Sequence, residues 1–314
     1  MNIMITGAAG HIGSYLIRSL PQSIKIDKIL LVDNMISNRY CSFFSLPENV
    51  NYKFIHFDLA KNDFDQLPHS DIVLHFAAKT DAAQSAKFKD EFYSNNLEAT
   101  KNVIKYCVKN NSKLIFASTT SVYGPQNQLV DENCPESELN PQSPYADVKL
   151  LEENIIQNHP GFKNDSYLIF RMGTIYGFSD GIRFHTAVNK FCFQASTGVP
   201  ITIWRTAYEQ KRPYLGLDDL NSAILYMIKH NIFDNRIYNL VSANCTVKNI
   251  VDIIKKYVPN IKIEYVNHEI MNQLSYEISN ERFKKKGFDF NSNVEREIKN
   301  TIKSLDKMNY KNFR

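Results

Sequence analysis

The chain is poor in the features that mark most specialised protein classes. Its five cysteines, Cys41, Cys107, Cys134, Cys192 and Cys245, are odd in number and never fall in CxxC or CxH spacing. They offer neither a disulfide framework nor a zinc site, and the compartment reads as reducing. No run approaches the roughly 18 apolar residues of a membrane span. The charge-free apolar start is broken almost at once by glycines, so the expected location is the cytoplasm. A strong charge of one sign is also missing: 37 Lys and Arg stand against 33 Asp and Glu, a formal +4, with the lysines scattered rather than gathered in one block. Nucleic acid is not implied. The small positive balance suits a diphosphate-bearing ligand as well as it suits a lysine-rich background. No internal repeat or low-complexity tract stands out.

What is present is ample for a folded enzyme. The 314 residues are 43% hydrophobic, which excludes disordered and fibrous classes and allows a full nucleotide-binding domain with a smaller one beside it. Short apolar runs at Asn2–Thr6, Lys28–Val32, Asn51–Phe57, Ile72–Phe76, Lys113–Ser118 and Leu168–Met172 alternate with segments of helical character. This alternation predicts an α/β fold of the Rossmann type, a doubly wound parallel sheet that binds ligands at the carboxyl ends of its strands. After about residue 176 the pattern becomes irregular, with Gly198, Pro200 and Trp204 in a stretch read as loop-rich. Residues 1–176 are therefore read as the dinucleotide-binding domain and 177–314 as a smaller α/β substrate domain. A helix from about Leu217 to His230 and a strand at Arg236–Leu240, within 215–245, return to the first domain in this reading.

The first strand runs straight into Gly7-Ala8-Ala9-Gly10-His11-Ile12-Gly13 and a helical stretch. Gly7 permits the tight turn, Gly10 lets backbone approach a pyrophosphate, and Gly13 lets the helix pack close to the sheet. Unpaired helix N–H groups then face the phosphates. The second strand ends Val32-Asp33-Asn34, about 20 residues beyond the loop, where a carboxylate accepts hydrogen bonds from a ribose and repels a 2′-phosphate. NAD is favoured over NADP, with Arg39 nearby keeping the choice open; a capping or turn aspartate is the plainer alternative. Asp58-Leu59 follows the third apolar run, in reach of the adenine or simply in a surface turn.

Tyr145 and Lys149 stand four apart, on one face if the segment is helical. A nearby cation favours phenolate and moves a tyrosine toward general-base work, though such a pair is also a common solvated helix face. The hydroxyl-rich segment Ser118-Thr119-Thr120-Ser121 ends a predicted strand on the sheet's carboxyl side. Thr119 there is placed to donate to a substrate oxygen beside Tyr145, or to cap an ordinary turn.

Taken together, Thr6 to Ser14, Val32 to Asn34, Asp58-Leu59, His75 to Ala78, Asn95-Asn96, Ser118 to Gly124, Pro144-Tyr145 with Lys149, Arg171 to Gly177 and Arg212 to Asp219 resemble the extended short-chain dehydrogenase/reductases. The resemblance is to the nucleotide-sugar epimerases and dehydratases, in family order over two thirds of the chain. It implies that Tyr145 is the catalytic base, that Lys149 lowers its pKa and holds the nicotinamide ribose, and that Thr119 fills the family's Ser/Thr position. It implies NAD held by Gly7, Gly10, His11, Ile12, Gly13, Asp33, Asn34, Asp58, Leu59, Phe76, Ala77, Ala78 and Asn96, and a substrate diphosphate gripped by Arg212. A homodimer through helices like the one carrying Tyr145 is also implied.

Family dehydratases carry Asp-Glu after the hydroxyl residue, and related decarboxylases carry Glu; here Thr120 and Ser121 stand there. This favours epimerisation of a nucleotide-diphosphate sugar, at C4, through a transient 4-keto sugar. A dehydratase or reductase on the same scaffold is the alternative, and a non-catalytic NAD-binding protein a more distant one. Thr174 replaces the family's usual Asn, and Gly181 to Phe191 and Ile203 to Tyr208 also depart from its pattern. Arg183, His185, Asn189, Trp204, Arg205 and Arg212, with Thr119 and Thr120, are the expected pocket residues, Trp204 stacking near the base. A core tryptophan and a structural histidine are the plainer readings of Trp204 and His185.

Overall fold

The computed structural model describes residues 1–126, 129–267 and 275–306. Its centre is a seven-stranded, wholly parallel sheet in the order Asp234–Leu240, Tyr167–Met172, Lys113–Thr119, Ile72–His75, Asn2–Thr6, Lys28–Asp33, Asn51–His56. The apolar runs read from the sequence match these strands to within a residue or two. In the inner strands they are nearly continuous because successive side chains face opposite, buried layers. Ile3, Ile5, Ile29 and Leu31 face one layer, with Leu16, Ile17, Leu220 and Ile224. Met4, Leu30, Val32 and Phe116 face the other, with Val103, Ile104 and Ile156.

The helices His11–Ser19 and Leu217–Lys229 cover the first face, and Lys89–Asn110 and Pro144–Gln157 the second. The outermost strand, Asn51–His56, is polar enough to stand at an open edge, with Lys53 exposed on it. The opposite edge, Asp234–Leu240, is supplied by chain that has left the sheet after Met172 and come back.

The second lobe is built on Thr174–Tyr176, Lys211–Gly216 and Ala243–Thr246, a small mixed sheet, and on the helices Ala187–Thr197, Val247–Tyr257 and Val294–Asp306. Val188, Phe191, Ile250, Ile254, Ile298 and Ile302 form its core. The stretch around Trp204 is more regular than its composition suggests. Gly198 closes a helix at φ +72°, and Ile201–Trp204 then pairs with Ile263–Val266. Ile201 and Ile203 point inward while Thr202 and Trp204 alternate outward, a strand period too short to distinguish from loop by sequence alone.

Candidate active site

The site begins where the first strand ends. Gly7 has φ +70°, and a Cβ there would lie 2.8 Å from the Ala77 nitrogen. At Gly13 a Cβ would lie 2.3 Å from the Gly7 carbonyl oxygen, so strand, loop and helix fit together only if both residues are glycine. Asp33 closes the turn from the neighbouring strand: Ala9 N–H donates to its Oδ2 at 3.0 Å and Met35 N–H to its Oδ1 at 2.8 Å. The carboxylate thus shapes the loop as well as facing the cavity beside it.

That cavity, about 630 Å³, opens at the carboxyl ends of the sheet strands and extends to the second lobe. Its wall brings together nearly every residue singled out in the sequence. Gly7, Gly10, His11, Ile12, Gly13, Asp33, Asn34, Asp58, Leu59, Phe76, Ala77 and Ala78 line one part. Thr119, Thr120, Tyr145, Lys149, Arg183, His185, Trp204 and Arg212 line the rest.

Three expected contacts stand outside it. Asn96 is buried behind the wall, where its side chain accepts from Lys79 N–H at 2.9 Å and donates to the Lys79 carbonyl at 3.0 Å. It braces the 77–80 loop rather than facing the cavity. Asn189 is likewise buried, receiving Gly177 N–H at 3.1 Å and donating to the Arg183 carbonyl at 3.2 Å. Arg205 is exposed and lies over the Tyr265 ring at 5.2 Å.

Tyr145 sits in the first turn of Pro144–Gln157. Ser143 caps this helix, accepting Ala146 N–H at 3.2 Å, and Pro144 occupies the first helical position. Such a cap is worth about 1 kcal/mol and fixes where the tyrosine enters. Thr119, ending its strand, accepts Ser121 N–H at 3.2 Å and hydrogen-bonds to the Tyr145 hydroxyl.

Burial pushes the Tyr145 phenol up to about 12, opposed by the Arg183 guanidinium, reinforced by the Glu152 carboxylate and opposed again by Thr119. This departs from the lowering expected of Lys149: the phenol stands above its ordinary value, and the cation that opposes its rise is Arg183. The Lys149 ammonium stands 3.0 Å from Glu152 Oε2 and over the Phe116 ring at 4.5 Å, its charge already engaged.

Sequence reasoning passed over Lys79, Thr80 and Asp81 and gave Lys190 no role, though all four are on the cavity wall, as is Thr174, the departure from the family's Asn. Arg183 donates to Thr80 Oγ1 and to His185 Nε2, so the histidine proton resides on Nδ1. Burial and the Arg183 charge lower His185 to about 4, keeping the ring neutral. Asp81 lies close enough to influence both groups. No motif marks these residues; only the folding of the 77–82 and 181–187 segments toward one another assembles them.

The second of these segments also clasps the glycine loop. Ser179 Oγ donates to the His11 carbonyl at 2.9 Å, and Gly181 N–H donates to Ser14 Oγ at 2.9 Å. His11 Nε2–H donates to the Gly177 carbonyl at 2.9 Å, and burial lowers this imidazole to about 4, so it is neutral.

A parallel doubly wound sheet, a glycine turn at a helix N-terminus and a carboxylate ending the next strand define a dinucleotide-binding enzyme. Residues 3–240 match the NAD dependent epimerase/dehydratase family, and the chain belongs to it, within the extended short-chain dehydrogenase/reductases, with NAD as its cofactor. The glycine cradle and Asp33 fit that cofactor. A dTDP-D-glucose 4,6-dehydratase of Dictyostelium discoideum is 30% identical over 83% of this chain and 62% of its own length. A trifunctional UDP-glucose 4,6-dehydratase/UDP-4-keto-6-deoxy-D-glucose 3,5-epimerase/UDP-4-keto-L-rhamnose-reductase of Arabidopsis thaliana is 27% identical over 96% of this chain and 46% of its own. The chain thus spans less than two thirds of either relative. Among solved structures, UDP-glucuronic acid 4-epimerase from Bacillus cereus, in complex with UDP-glucuronic acid and NAD, superposes with a TM-score of 0.85 at 21% identity, covering 98% of this chain and 100% of that one.

Proposed function

We propose that this enzyme epimerises the sugar of a nucleotide-diphosphate sugar at C4, with Tyr145 as base. The observation that carries the reading is the composition of the wall beside Tyr145. Thr119, Thr120 and Ser121 occupy it, hydroxyls that hold a sugar oxygen but supply no carboxylic acid to expel water. The charge of the cavity supports a diphosphate: Arg39, Lys79, Lys149, Arg183, Lys190 and Arg212 stand against Asp33, Asp58 and Asp81.

In this reading Gly7 to Gly13, Asp33, Asp58 and Leu59 hold the adenosine and pyrophosphate part of NAD, which supplies a hydride acceptor and donor when bound. Thr119 donates to the reacting sugar oxygen and fixes it against Tyr145. Tyr145 accepts the hydroxyl proton as the carbonyl forms and returns it when the alcohol is restored. Lys149 holds the nicotinamide ribose and favours the phenolate. Arg212 grips the diphosphate through its planar guanidinium, and Trp204 presents a ring to the base. Asn96 and Asn189 act from behind the wall by fixing the two loops.

Incubating the purified protein with UDP-, GDP-, CDP- and dTDP-sugars, and following each by NMR, tests the reading. A stereoisomer of unchanged mass, lost in Tyr145→Phe, is the expected result. A second reading, dehydration, is favoured by Asp81, a carboxylate on the same wall as Arg183 and His185, and by the names of the sequence relatives above. It predicts loss of water from the sugar and its abolition by Asp81→Asn.

A further inference from the structure

We infer that Glu152 is a positioning residue for the Tyr145 and Lys149 pair: its buried carboxylate holds the lysine and sets the pH at which the tyrosine ionises. This rests on the assignment of Tyr145 as base and Lys149 as its partner, and adds a residue to that machinery.

Lys149 and Glu152 are three residues apart on one helix, with side chains only 3% and 1% exposed and Nζ 3.0 Å from Oε2. Opposite charges enclosed this completely are held as a pair: burial pushes the Glu152 carboxyl up, and the Lys149 charge and the Thr100 hydroxyl oppose that rise. The adjacent Glu153 is already engaged by Arg171 and by the Ser118 hydroxyl.

With Glu152 ionised by its pairing with Lys149, the hydrogen bonds that end on its other oxygen all run one way. A carboxylate only accepts, so the Thr100 hydroxyl donates to Oε1. With its proton spent there, Thr100 Oγ1 accepts from His75 Nε2 at 3.3 Å. His75 is neutral, lowered to about 3 by burial and by the Lys149 charge, so its Nδ1 accepts the Thr6 hydroxyl at 2.7 Å. The Thr6 oxygen in turn receives Ala77 N–H at 3.2 Å. Every donor points toward Glu152, and dipoles aligned in this way reinforce one another. The chain joins Ala77 on the cofactor wall to Lys149 on the catalytic wall, through the strand that carries the glycine loop.

The electrostatic consequence has a definite sign. Tyr145 faces Arg183 and Thr119 from other segments and Glu152 from its own helix, which also carries Lys149; Lys149 in turn faces His75 and Phe116 on the sheet beneath that helix. Of these, Glu152 is the anion that opposes phenolate formation. Replacing it with an uncharged isostere leaves the lysine's charge uncompensated toward the tyrosine and frees the lysine from its tether.

The test compares the full-length protein with Glu152→Gln, Glu152→Asp, Tyr145→Phe and the double variant Tyr145→Phe/Glu152→Gln, each saturated with NAD. Ultraviolet phenolate absorbance against pH, with the Tyr145→Phe background subtracted, reads the ionisation of Tyr145 without any substrate. The expected midpoint falls by about one pH unit in Glu152→Gln and stays at the wild-type position in Glu152→Asp, where the charge is kept. NAD affinity falls severalfold in both variants, because the lysine is no longer held in place. A midpoint and an NAD affinity in Glu152→Gln equal to wild type would overturn the inference. If Glu152→Gln fails to fold by circular dichroism, wild-type NAD affinity in Glu152→Asp overturns it instead. A shifted midpoint in a protein that leaves every nucleotide sugar unchanged would reject the epimerase reading and support this one.

Discussion

Arg171 and Glu153 form a two-pronged ion pair inside the protein, Nη2 donating to Oε2 at 2.7 Å and Nε to Oε1 at 3.0 Å. The guanidinium also lies over the Tyr123 ring at 4.8 Å. The pair ties a central strand to the helix that carries Tyr145, and neither partner can reach water if the other is removed. Glu153→Gln and Arg171→Met are each expected to destabilise the fold by about 3–5 kcal/mol, measured by urea denaturation. Lys101→Met, which breaks the exposed pair with Glu98, leaves the urea midpoint nearly unchanged.

Tyr145→Phe removes one oxygen from a position held by the Ser143 cap and by helix packing, so the fold and NAD binding persist. Turnover of the sugar found by the NMR panel is expected to fall by about 10²–10⁴-fold, the usual loss when a positioned acid–base group is deleted.

Gly13→Ala places a methyl group 2.3 Å from the Gly7 carbonyl oxygen, so the helix must back away from the strand. The expected result is loss of NAD binding by calorimetry together with about 1–3 kcal/mol of stability. Gly10→Ala, whose Cβ meets the same oxygen at 3.1 Å, is milder in stability.

Glu297 gives a pH prediction. Burial raises its carboxyl to about 8, with Asp218 and Asp219 adding in the same direction while Ser292 and Arg296 oppose. The folded state therefore binds a proton that the unfolded state has released between about pH 4.5 and pH 8, and stability attributable to this group falls as pH rises through that window. Glu297→Gln removes the dependence: its stability relative to wild type is expected to be greater at pH 8 than at pH 5, by denaturant titration at both. Equal differences at the two pH values would show that Glu297 ionises normally.

Trp204→Ala is expected to raise KM for the nucleotide sugar severalfold while leaving NAD affinity unchanged, because Trp204 belongs to the second lobe and not to the glycine loop. Parallel changes in both affinities would remove it from the proposed base site.

Much of this was legible in the sequence, for a physical reason. Strands buried on both faces write themselves as apolar runs, and Gly7 and Gly13, weak as a spacing alone, are legible because they stand where the first strand gives way to a helix. Tyr145 and Lys149 were legible as a helical spacing. Arg205 was not distinguishable from a pocket residue, because a one-residue change of direction after Trp204 turns its side chain onto Tyr265. Asn96 and Asn189 look like ligand contacts and fold as braces, since an amide serves backbone and ligand with the same groups. Asp81 and Thr80 carry no pattern at all until the loop holding them meets Arg183. Glu152 was hidden for a related reason: a carboxylate on a helix ordinarily means a wet face, and only its partners Thr100 and His75, from two other elements, make it an interior group.

The returning edge strand has a practical side. Because Asp234–Leu240 completes the main sheet, and Phe283 and Phe288 pack into the same core, the second lobe is not a contiguous appendage. Anyone grafting its pocket onto a relative has to cut near Gly173, again near Gly216, again near Val241, and still leave Phe283 in place. A single-crossover chimera joined at the apparent boundary would instead bring a foreign edge strand against Tyr167–Met172, and its failure would report a mismatched seam rather than an incompatible sugar.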